Sequence, residues 1–442
     1  FNCSVGLSID GMGDFTSTAL VQIHKNSLSY DFKINFPHSM GIFYEAMTHY
    51  LGFKHFGDEY KVMGLAPYGQ PKYLSKLEEV VILKNKGKYA LNLDYFTHHK
   101  GHVLHDWSDG APSSTDTFSP ALIDLLGPVR EPNESLSQVH MDIARSTQAM
   151  YEKVFFHILN HAHEKHDSDN LTISGGCGNN SVANGKIYRK TPFKKVYIAS
   201  SCSDAGGAIG AGYCALIRNG IHIKENKFGA YLGSSFSDDE IKATIELQLK
   251  SSKSDFKINC HTEDPELFDD VATLISEGNV IGWFQGAMEW GPRALGNRSI
   301  LGDPRRNDMK DILNLKIKRR ESFRPFAPSV LKEHVADWFE EDDDVPYMMK
   351  VFQIHQDKRK LIPAVTHVDG SGRLQTVSSS SNDRYYNLIN AFYKITQVPI
   401  LLNTSFNENE PVVCHPREAL DCFVRTKMDV LVMGNWILKR NS

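Results

Sequence analysis

Apolar residues recur along this chain with two different periods, and these periods predict a mixed α/β protein. Between Leu136 and His166 they fall mostly three or four residues apart, which predicts one long amphipathic helix behind a capping box of Ser135 and Gln138. Shorter apolar runs between turn residues predict strands at Val5 to Ile9, Ser17 to Ile23, Leu171 to Ile173 and Val196 to Ile198. Helices are expected at Val182 to Arg189 and from Ser203 to Asn219.

The second half of the chain alternates in the same way. Ser237 and Glu240 have the spacing of a helix cap. The remaining pattern predicts strands at Val280 to Phe284, Pro399 to Asn403 and Val430 to Met433, and helices at Asn307 to Lys318 and Arg417 to Arg425. A chain of 442 residues exceeds the ~250 to 300 residues of a single core, so we expect two α/β domains. The turn-rich run that starts at Phe228 places them at residues 1–227 and 228–442.

Composition narrows the class of protein. Lys and Arg number 49 against 53 Asp and Glu, so no overall positive charge favours nucleic acid or a membrane surface as a partner. Seven scattered cysteines without a C-x-x-C pair suit a reducing compartment, and we expect a cytoplasmic protein without a membrane span. A homodimer is left open. Phe1 stands just before a strand, so we expect the chain to start within its first domain.

Basic residues concentrate in one segment of this otherwise balanced chain. Arginines beside Gly291, Pro292 and Gly296 can grip a phosphate or carboxylate with two parallel hydrogen bonds, which predicts an anion site. The alternative is a solvated helix face, which we favour for Lys316, Arg319 and Arg320. The segment contains ten basic residues, Arg293, Arg298, Arg305, Arg306, Lys310, Lys316, Lys318, Arg319, Arg320 and Arg324, against the acidic Asp303, Asp308, Asp311 and Glu321.

Five further short motifs could contact a ligand. Gly175-Gly176 between a strand and a helix resembles a phosphate cradle, since glycines expose backbone NH groups. Asp10 lies in an acidic hairpin loop, and Asp204 precedes a glycine-rich helix, where it is either a metal ligand or a helix cap. A glycine-rich turn leads to Arg373. Hydroxyl and amide side chains from Asn403 to Asn407 follow a strand, which suits an adenylate or carbonyl oxygen.

Six sequence blocks together resemble the O-carbamoyltransferases of the nodulation and antibiotic-tailoring type. The resemblance covers nearly the whole chain and keeps the order of the blocks. It implies an N-terminal actin-like ATPase domain of the threonylcarbamoyl-transferase type, with its first lobe missing, followed by a YrdC-like domain. The blocks are EYKVMGLAPYG from Glu59, SDAGGAIGA from Ser203, WGPRALGNRSILGDPR from Trp290, FRPFAPSVL from Phe323, VTHVDGSGRLQTV from Val365 and LLNTSFNENEPVV from Leu401.

The resemblance also implies a reaction and its residues. The C-terminal domain would form carbamoyl adenylate from carbamoyl phosphate and ATP, and the other would pass the carbamoyl group to a hydroxyl of a sugar-like or secondary-metabolite acceptor. Residue by residue, it implies activation by Arg293, Arg298, Lys318, Arg324, Arg373 and Ser405, with Asn403 nearby. It implies nucleotide contacts from Asp10, Gly175, Gly176 and Asn180, with Mg²⁺, and an iron-type metal at Asp204.

The sequence departs from the family at its start. The two metal-binding histidines of the family precede the strand at Val5 to Ile9, in an H-x-x-x-H segment that this sequence does not contain. Two alternatives therefore stay open. One is a non-catalytic nucleotide- or partner-binding module, and the other is a related acyl-adenylate enzyme acting on tRNA, which the balanced charge disfavours.

Overall fold

The runs predicted as strands do form strands, and they assemble into two separate large sheets. In this computed structural model the chain divides into two compact units, Phe1–Lys224 and Glu225–Ser442, and each is α/β. The boundary predicted after residue 227 falls within 222–228, outside the described residues. The structure describes residues 1–25, 27–101, 105–107, 112–221, 229–250, 255–318, 321 and 323–441.

The first unit is built on a five-stranded sheet of order β3-β2-β1-β8-β9. Its central strand β1 runs antiparallel to β2 and parallel to β8, which is in turn parallel to β9. Val5, Leu7 and Ile9 alternate along β1 and are buried, as expected of a strand covered by helices. The strands are β1 Cys3–Ile9, β2 Thr16–His24, β3 Ser27–Asn35, β4 Val81–Leu83, β5 Tyr89–Leu91, β6 His105–Asp106, β7 Ser113–Ser114, β8 Asn170–Ser174 and β9 Lys195–Ile198.

The long amphipathic helix is confirmed as α5. Ile143, Met150, Val154 and Ile158 form its buried face at helical spacing. The helices of this unit are α1 Met40–Tyr50, α2 Glu59–Leu65, α3 Leu74–Val80, α4 Pro120–Leu126, α5 Gln138–His166, α6 Ser181–Asn184, α7 Ile187–Lys190 and α8 Asp204–Arg218.

Two details predicted for these helices are wrong. The capping box at the start of α5 is formed by Ser137 and His140 instead of Ser135 and Gln138, because the His140 ring nitrogen Nδ1 accepts the Ser137 backbone NH at 3.1 Å. The helix expected at 182–189 is two short helices, α6 and α7, with Gly185 at the end of α6.

The second unit contains a nine-stranded mixed sheet of order β10-β18-β17-β11-β12-β16-β13-β15-β14. Two of its middle strands, Ile281–Phe284 and Val430–Met433, are fully buried apolar runs, which explains why they were recognisable in the sequence. The strands are β10 Phe256–Cys260, β11 Ile281–Phe284, β12 Arg298–Gly302, β13 Ala327–Leu331, β14 Lys350–Gln353, β15 Ser371–Val377, β16 Ile400–Ser405, β17 Val430–Met433 and β18 Trp436–Arg440.

The helices of this unit confirm the predicted cap and refine one prediction. Ser237 and Glu240 form a capping box at the start of α9. The helix expected at 307–318 is a short α-helix followed by a π-helix, Asn314–Lys318, whose wider turn places Lys318 at its end. The helices are α9 Asp238–Gln248, α10 Asp264–Ser276, α11 Met309–Leu313, α12 Val335–Trp338, α13 Asp383–Thr396 and α14 Pro416–Arg425.

Candidate functional site

In the first unit, the predicted ligand-binding residues follow three parallel neighbouring strands. Asp10 comes directly after β1, Gly175 and Gly176 directly after β8, and Asp204 six residues after the end of β9. The carboxyl ends of parallel strands lie along one edge of a sheet, where α/β proteins commonly bind ligands. The topology therefore brings these four residues to the same edge.

The Asp10 carboxylate joins two of the loops at this edge. Its Oδ1 accepts the Gly11 backbone NH at 2.7 Å, and its Oδ2 accepts the Gly176 backbone NH at 3.0 Å. Gly175 has a φ of +91°, and a Cβ there would lie 2.1 Å from the Ile9 carbonyl oxygen. The glycine pair thus permits the loops to pack against each other, and the NH of Gly176 donates to Asp10 in this structure.

Asn180 is buried and connects the glycine turn to α5. Its amide exchanges two hydrogen bonds of 3.1 Å with the Gln148 amide, and its Oδ1 also accepts the Ala183 backbone NH at 3.0 Å. Gln148 in turn accepts the Tyr44 hydroxyl at 2.9 Å. Through these contacts Asn180 supports the structure next to the predicted nucleotide-binding glycines.

Asp204, the predicted metal ligand, is the first residue of α8 and is exposed. Across the described ranges, no three His, Cys, Asp or Glu side chains form a group that could hold a metal ion. A metal at Asp204 therefore stays a prediction that rests on one carboxylate of this chain.

In the second unit, Lys318 and Ser405 meet directly. The Lys318 ammonium donates to the Ser405 carbonyl oxygen at 2.6 Å and lies 3.3 Å from the Ser405 hydroxyl oxygen. It also donates to the Asn407 side-chain oxygen at 2.6 Å and to the Asn407 carbonyl oxygen at 2.7 Å. Two residues predicted for one site, 87 positions apart, are thus brought together at the end of β16.

Arg298, expected to face an anion, instead lies in the interior with no exposed surface. Its guanidinium donates to the carbonyl oxygens of Gln285, Gly286, Asn297 and Ser234 at 2.5, 3.2, 3.0 and 2.9 Å. Burial lowers its pKa to about 10, although the nearby charge of Glu289 opposes this shift. Arg298 therefore holds the surrounding loops in place in this structure.

Asn403 is similarly buried under the loop that carries Arg293. Its amide donates to the Ala294 carbonyl oxygen at 3.2 Å, to the Ser329 hydroxyl at 3.0 Å and to the Gln375 side-chain oxygen at 3.2 Å. Arg373 lies two residues before Gln375 on β15, so both side chains belong to the same face of the sheet. Arg373 thus lies on β15, and Asn403 and Ser405 lie on β16, with β13 between these two strands.

The remaining arginines of the segment differ in their surroundings. Arg324 is about one-fifth exposed, at 22%, and lies 3.5 Å from the Glu321 carboxylate. Arg305 pairs with Asp303 and Arg306 with Asp308, both at 2.6 Å. Acidic residues of the segment therefore neutralise part of the predicted positive patch. Arg319, Arg320 and the side chain of Lys316, predicted to be solvated, lie outside the described residues.

Two residues that shape this site were not singled out in the sequence. Glu289 accepts three backbone NH groups of the loop that carries Arg293, and the Gln375 side-chain oxygen accepts the Asn403 amide. Asn407, which belongs to the predicted run of hydroxyl and amide side chains, contacts Lys318. Glu289 stands four positions before Arg293, outside the segment whose charges attracted attention. The role of Glu289 follows only from asking which acceptor each buried NH group of the loop requires.

Comparison with known families matches both units. Residues 2–213 match Carbamoyltransferase N-terminus, and residues 272–440 match Carbamoyltransferase C-terminus. The chain belongs to the carbamoyltransferase family. Carbamoyltransferases are enzymes, and the family resemblance drawn from the six sequence blocks is confirmed.

Relatives of this carbamoyltransferase chain match it from end to end. An uncharacterized protein of Synechocystis sp. is 41% identical over 470 residues, and the match covers 74% of that protein. Nodulation protein NolNO of Sinorhizobium fredii is 38% identical, with 62% of its length covered, and nodulation protein NolO of Bradyrhizobium diazoefficiens is 36% identical, with 76% covered. Within the described part of the chain, none of the helices is both long and apolar enough to traverse a bilayer.

Proposed function

We propose that this chain forms carbamoyl adenylate from carbamoyl phosphate and ATP and transfers the carbamoyl group to a hydroxyl of a small, sugar-like or secondary-metabolite acceptor. Membership of the carbamoyltransferase family supports the transfer of a carbamoyl group. The observation that carries the activation step is the meeting of Lys318 with Ser405 at the end of β16, within the arginine-containing sheet of the second unit.

The proposed reaction consists of two activation steps and one transfer step. Water opens the mixed anhydride of carbamoyl phosphate, so that inorganic phosphate leaves and carbamate remains. A carbamate oxygen then attacks the α-phosphorus of ATP, the bond to the β-phosphate oxygen breaks, and pyrophosphate leaves. In the transfer step, the acceptor oxygen attacks the carbamoyl carbon, AMP leaves, and the hydroxyl proton passes to solvent.

Each step of activation gathers negative charge on phosphoryl oxygens. Fixed cations and hydroxyl donors stabilise such charge best when they are held in place before the reaction. We assign this part to the side chains of Arg293, Arg324, Arg373 and Lys318. The Ser405 hydroxyl donates to the Asn407 side-chain oxygen at 2.9 Å in this structure and would exchange that acceptor for a phosphoryl oxygen. Arg298 and Asn403 take a supporting part, because they donate to the carbonyl oxygens of Asn297 and Ala294 in the loop that carries Arg293.

The first unit is the proposed site of transfer. Asp10, Gly175 and Gly176 meet at one edge of its sheet, with Asn180 beneath them, and a nucleotide phosphate there would require the NH of Gly176 to exchange its carboxylate partner. Mg²⁺ would accompany the nucleotide. The described residues offer only Asp204 to an iron-type ion, so they do not make up a ligand set.

We also propose finer fold assignments for the two units. Antiparallel β1 to β3 continued by parallel β8 and β9 supports an actin-like ATPase lobe of the threonylcarbamoyl-transferase type in the first unit. The large mixed sheet with helices supports a YrdC-like domain in the second unit. A cytoplasmic location and acceptance of a small molecule instead of a nucleic acid follow from the same proposal.

Isotope exchange between labelled pyrophosphate and ATP tests the activation step. We expect exchange that depends on carbamoyl phosphate, and we expect Arg324→Ala to reduce it about 100-fold or more, since charge stabilisation of this kind contributes on that scale. Arg306→Ala is the matched control, because Arg306 is an ion-paired arginine of the same segment and lies in no assigned site. Its exchange should equal that of the unchanged protein.

Two results would contradict the proposal. Unchanged exchange in a folded Arg324→Ala protein would remove Arg324 from the site. Calorimetric binding of ATP without any exchange in the unchanged protein would instead identify a nucleotide-binding module without activation chemistry.

A further inference from the structure

The turn from Trp290 to Arg298 is held by backbone hydrogen bonds near its two ends and by side chains of the second unit between them. The Leu295 carbonyl oxygen accepts the Tyr231 hydroxyl and the Gln375 amide, both at 2.8 Å. The Asn297 amide donates to the Ala287 carbonyl oxygen at 2.7 Å. A loop with this many partners has a defined shape without a ligand.

One buried carboxylate organises the backbone of this turn. The Glu289 Oε1 accepts the NH groups of Leu295, Asn297 and Arg298 at 2.7, 2.8 and 3.2 Å, and Glu289 is only 7% exposed. The Gly296 NH, between them, lies 3.1 Å from the Ser299 hydroxyl oxygen. All four successive NH groups of the turn therefore donate to side chains of their own segment.

This arrangement changes how the turn can contact an anion. Successive backbone NH groups commonly form an anion-binding nest, but here the Glu289 carboxylate is the anion they hold. Gly296 has a φ of +103°, and a Cβ there would lie 2.2 Å from the Tyr385 ring, so this glycine permits packing against Tyr385. The contribution of the turn to a ligand thus falls to the side chain of Arg293.

We propose that Glu289 is a positioning residue that fixes the turn and thereby directs Arg293 toward the phosphoryl groups of carbamoyl phosphate or ATP. This inference rests on the proposed activation site. Glu289 acts through the backbone, and the reach of its side chain matters because one oxygen serves three donors. Gln at this position keeps that oxygen at the same reach, whereas Asp keeps the charge but loses one methylene group.

A double-mutant cycle on carbamoyl phosphate binding tests this role. Calorimetry with carbamoyl phosphate should show about 10- to 100-fold weaker binding for Arg293→Ala, the scale of a lost charge-assisted hydrogen bond. Glu289→Ala should weaken binding about tenfold or more. In the Arg293→Ala background, however, Glu289→Ala should change affinity less than threefold, because its effect passes through Arg293.

The conservative variants provide a second measurement if Glu289→Ala does not fold. We expect Glu289→Gln to bind carbamoyl phosphate within about threefold of the unchanged protein and Glu289→Asp to bind more weakly than Glu289→Gln. Asp429→Ala is the control for stability alone. Its carboxylate accepts the Val280 NH at 2.8 Å at the opposite end of β11, so its loss should leave affinity unchanged.

Four outcomes distinguish this inference from the proposed function. Fully additive effects of Glu289→Ala and Arg293→Ala, or better binding by Glu289→Asp than by Glu289→Gln, would overturn the positioning role. If Glu289→Ala and Arg293→Ala have coupled effects on binding but the unchanged protein shows no pyrophosphate exchange, the positioning role is supported and the activation reaction is contradicted. If the unchanged protein does not bind carbamoyl phosphate at all, both are wrong.

Discussion

Replacement of Arg298 by Met separates a structural arginine from one that grips a ligand. In the unchanged protein the guanidinium donates to four backbone carbonyl oxygens, and its carbon lies 3.7 Å from the centre of the Phe284 ring. Met fills a similar volume but donates nothing, so these carbonyl groups would lose their charged partner while the chain around them stays buried.

The magnitude follows from two opposing effects. A buried polar group left without its partner costs about 1 to 3 kcal/mol, and several carbonyl groups are affected at once. Against this, burial lowers the pKa of Arg298 to about 10, and removal of a buried charge recovers about 1.4 kcal/mol for each pKa unit by which burial disfavours it. The carbonyl oxygens of Asn297 and Ser234 keep a backbone NH donor, so the loss comes from the hydrogen bonds to a charged donor, each worth about 1.5 to 3 kcal/mol. These lost bonds outweigh the gain, and we expect a net loss of about 2 to 4 kcal/mol.

Chemical denaturation monitored by tryptophan fluorescence measures this loss, because Trp283 is buried on β11 beside the affected loops. Arg306→Met is the control, and its free energy of unfolding should change by less than about 0.5 kcal/mol, as for most surface positions. The structural role of Arg298 would be refuted by a folded Arg298→Met protein of unchanged stability that has lost pyrophosphate exchange. That result would return Arg298 to the ligand-binding site.

Two further predictions concern residues of the first unit and the dependence of protein stability on pH. Burial alone would raise the pKa of Asp31, but hydrogen bonds from Lys165 and His166 outweigh it and leave the pKa below its ordinary 3.8. Asp31→Asn should therefore lower the free energy of unfolding by about 1 to 2 kcal/mol at pH 7, and this difference should disappear as the pH falls below about 3.8. Equal stabilities of the two proteins at pH 7 would contradict this prediction. Burial, assisted by the charge of Glu59, raises the pKa of Glu45 to about 7, so ionisation of Glu45 opposes folding increasingly between pH 4.5 and about 7. Thermal unfolding should therefore show that Glu45→Gln is more stable than the unchanged protein at pH 8 but not at pH 4. A constant difference in stability across this range would refute the burial argument.

The elements of the fold could be predicted because their signals are local. The buried face of α5 repeats every three or four residues, and the strands that were predicted, such as β11 and β17, are short apolar runs. The start of α5 was placed wrongly because two serine positions, Ser135 and Ser137, could each begin the helix. In addition, the third residue of the helix, which bonds back to the cap, is His140 and not the usual Glu or Gln.

The candidate site was less predictable because a count of charges contains no information about their partners. Arg305 and Arg306 form ion pairs with acidic residues only two positions away, which removes them from a positive surface. The burial of Arg298 depends on the carbonyl oxygen of Ser234, 64 residues earlier in the chain. Such distant contacts follow from sheet register, which a single sequence does not specify.

One property of arginine explains these differences within the segment. A guanidinium has five donors in a planar fork, so it can satisfy several carbonyl oxygens where chain segments converge as well as it can grip a phosphate. Sequence spacing is the same in both cases. What separates them is the number of backbone acceptors within reach: Arg298 has four, at the point where the loop after β11 approaches Ser234. In a site of this kind, buried arginines and the Glu289 carboxylate therefore form a frame, and the residues that contact the ligand are those whose side chains extend from that frame.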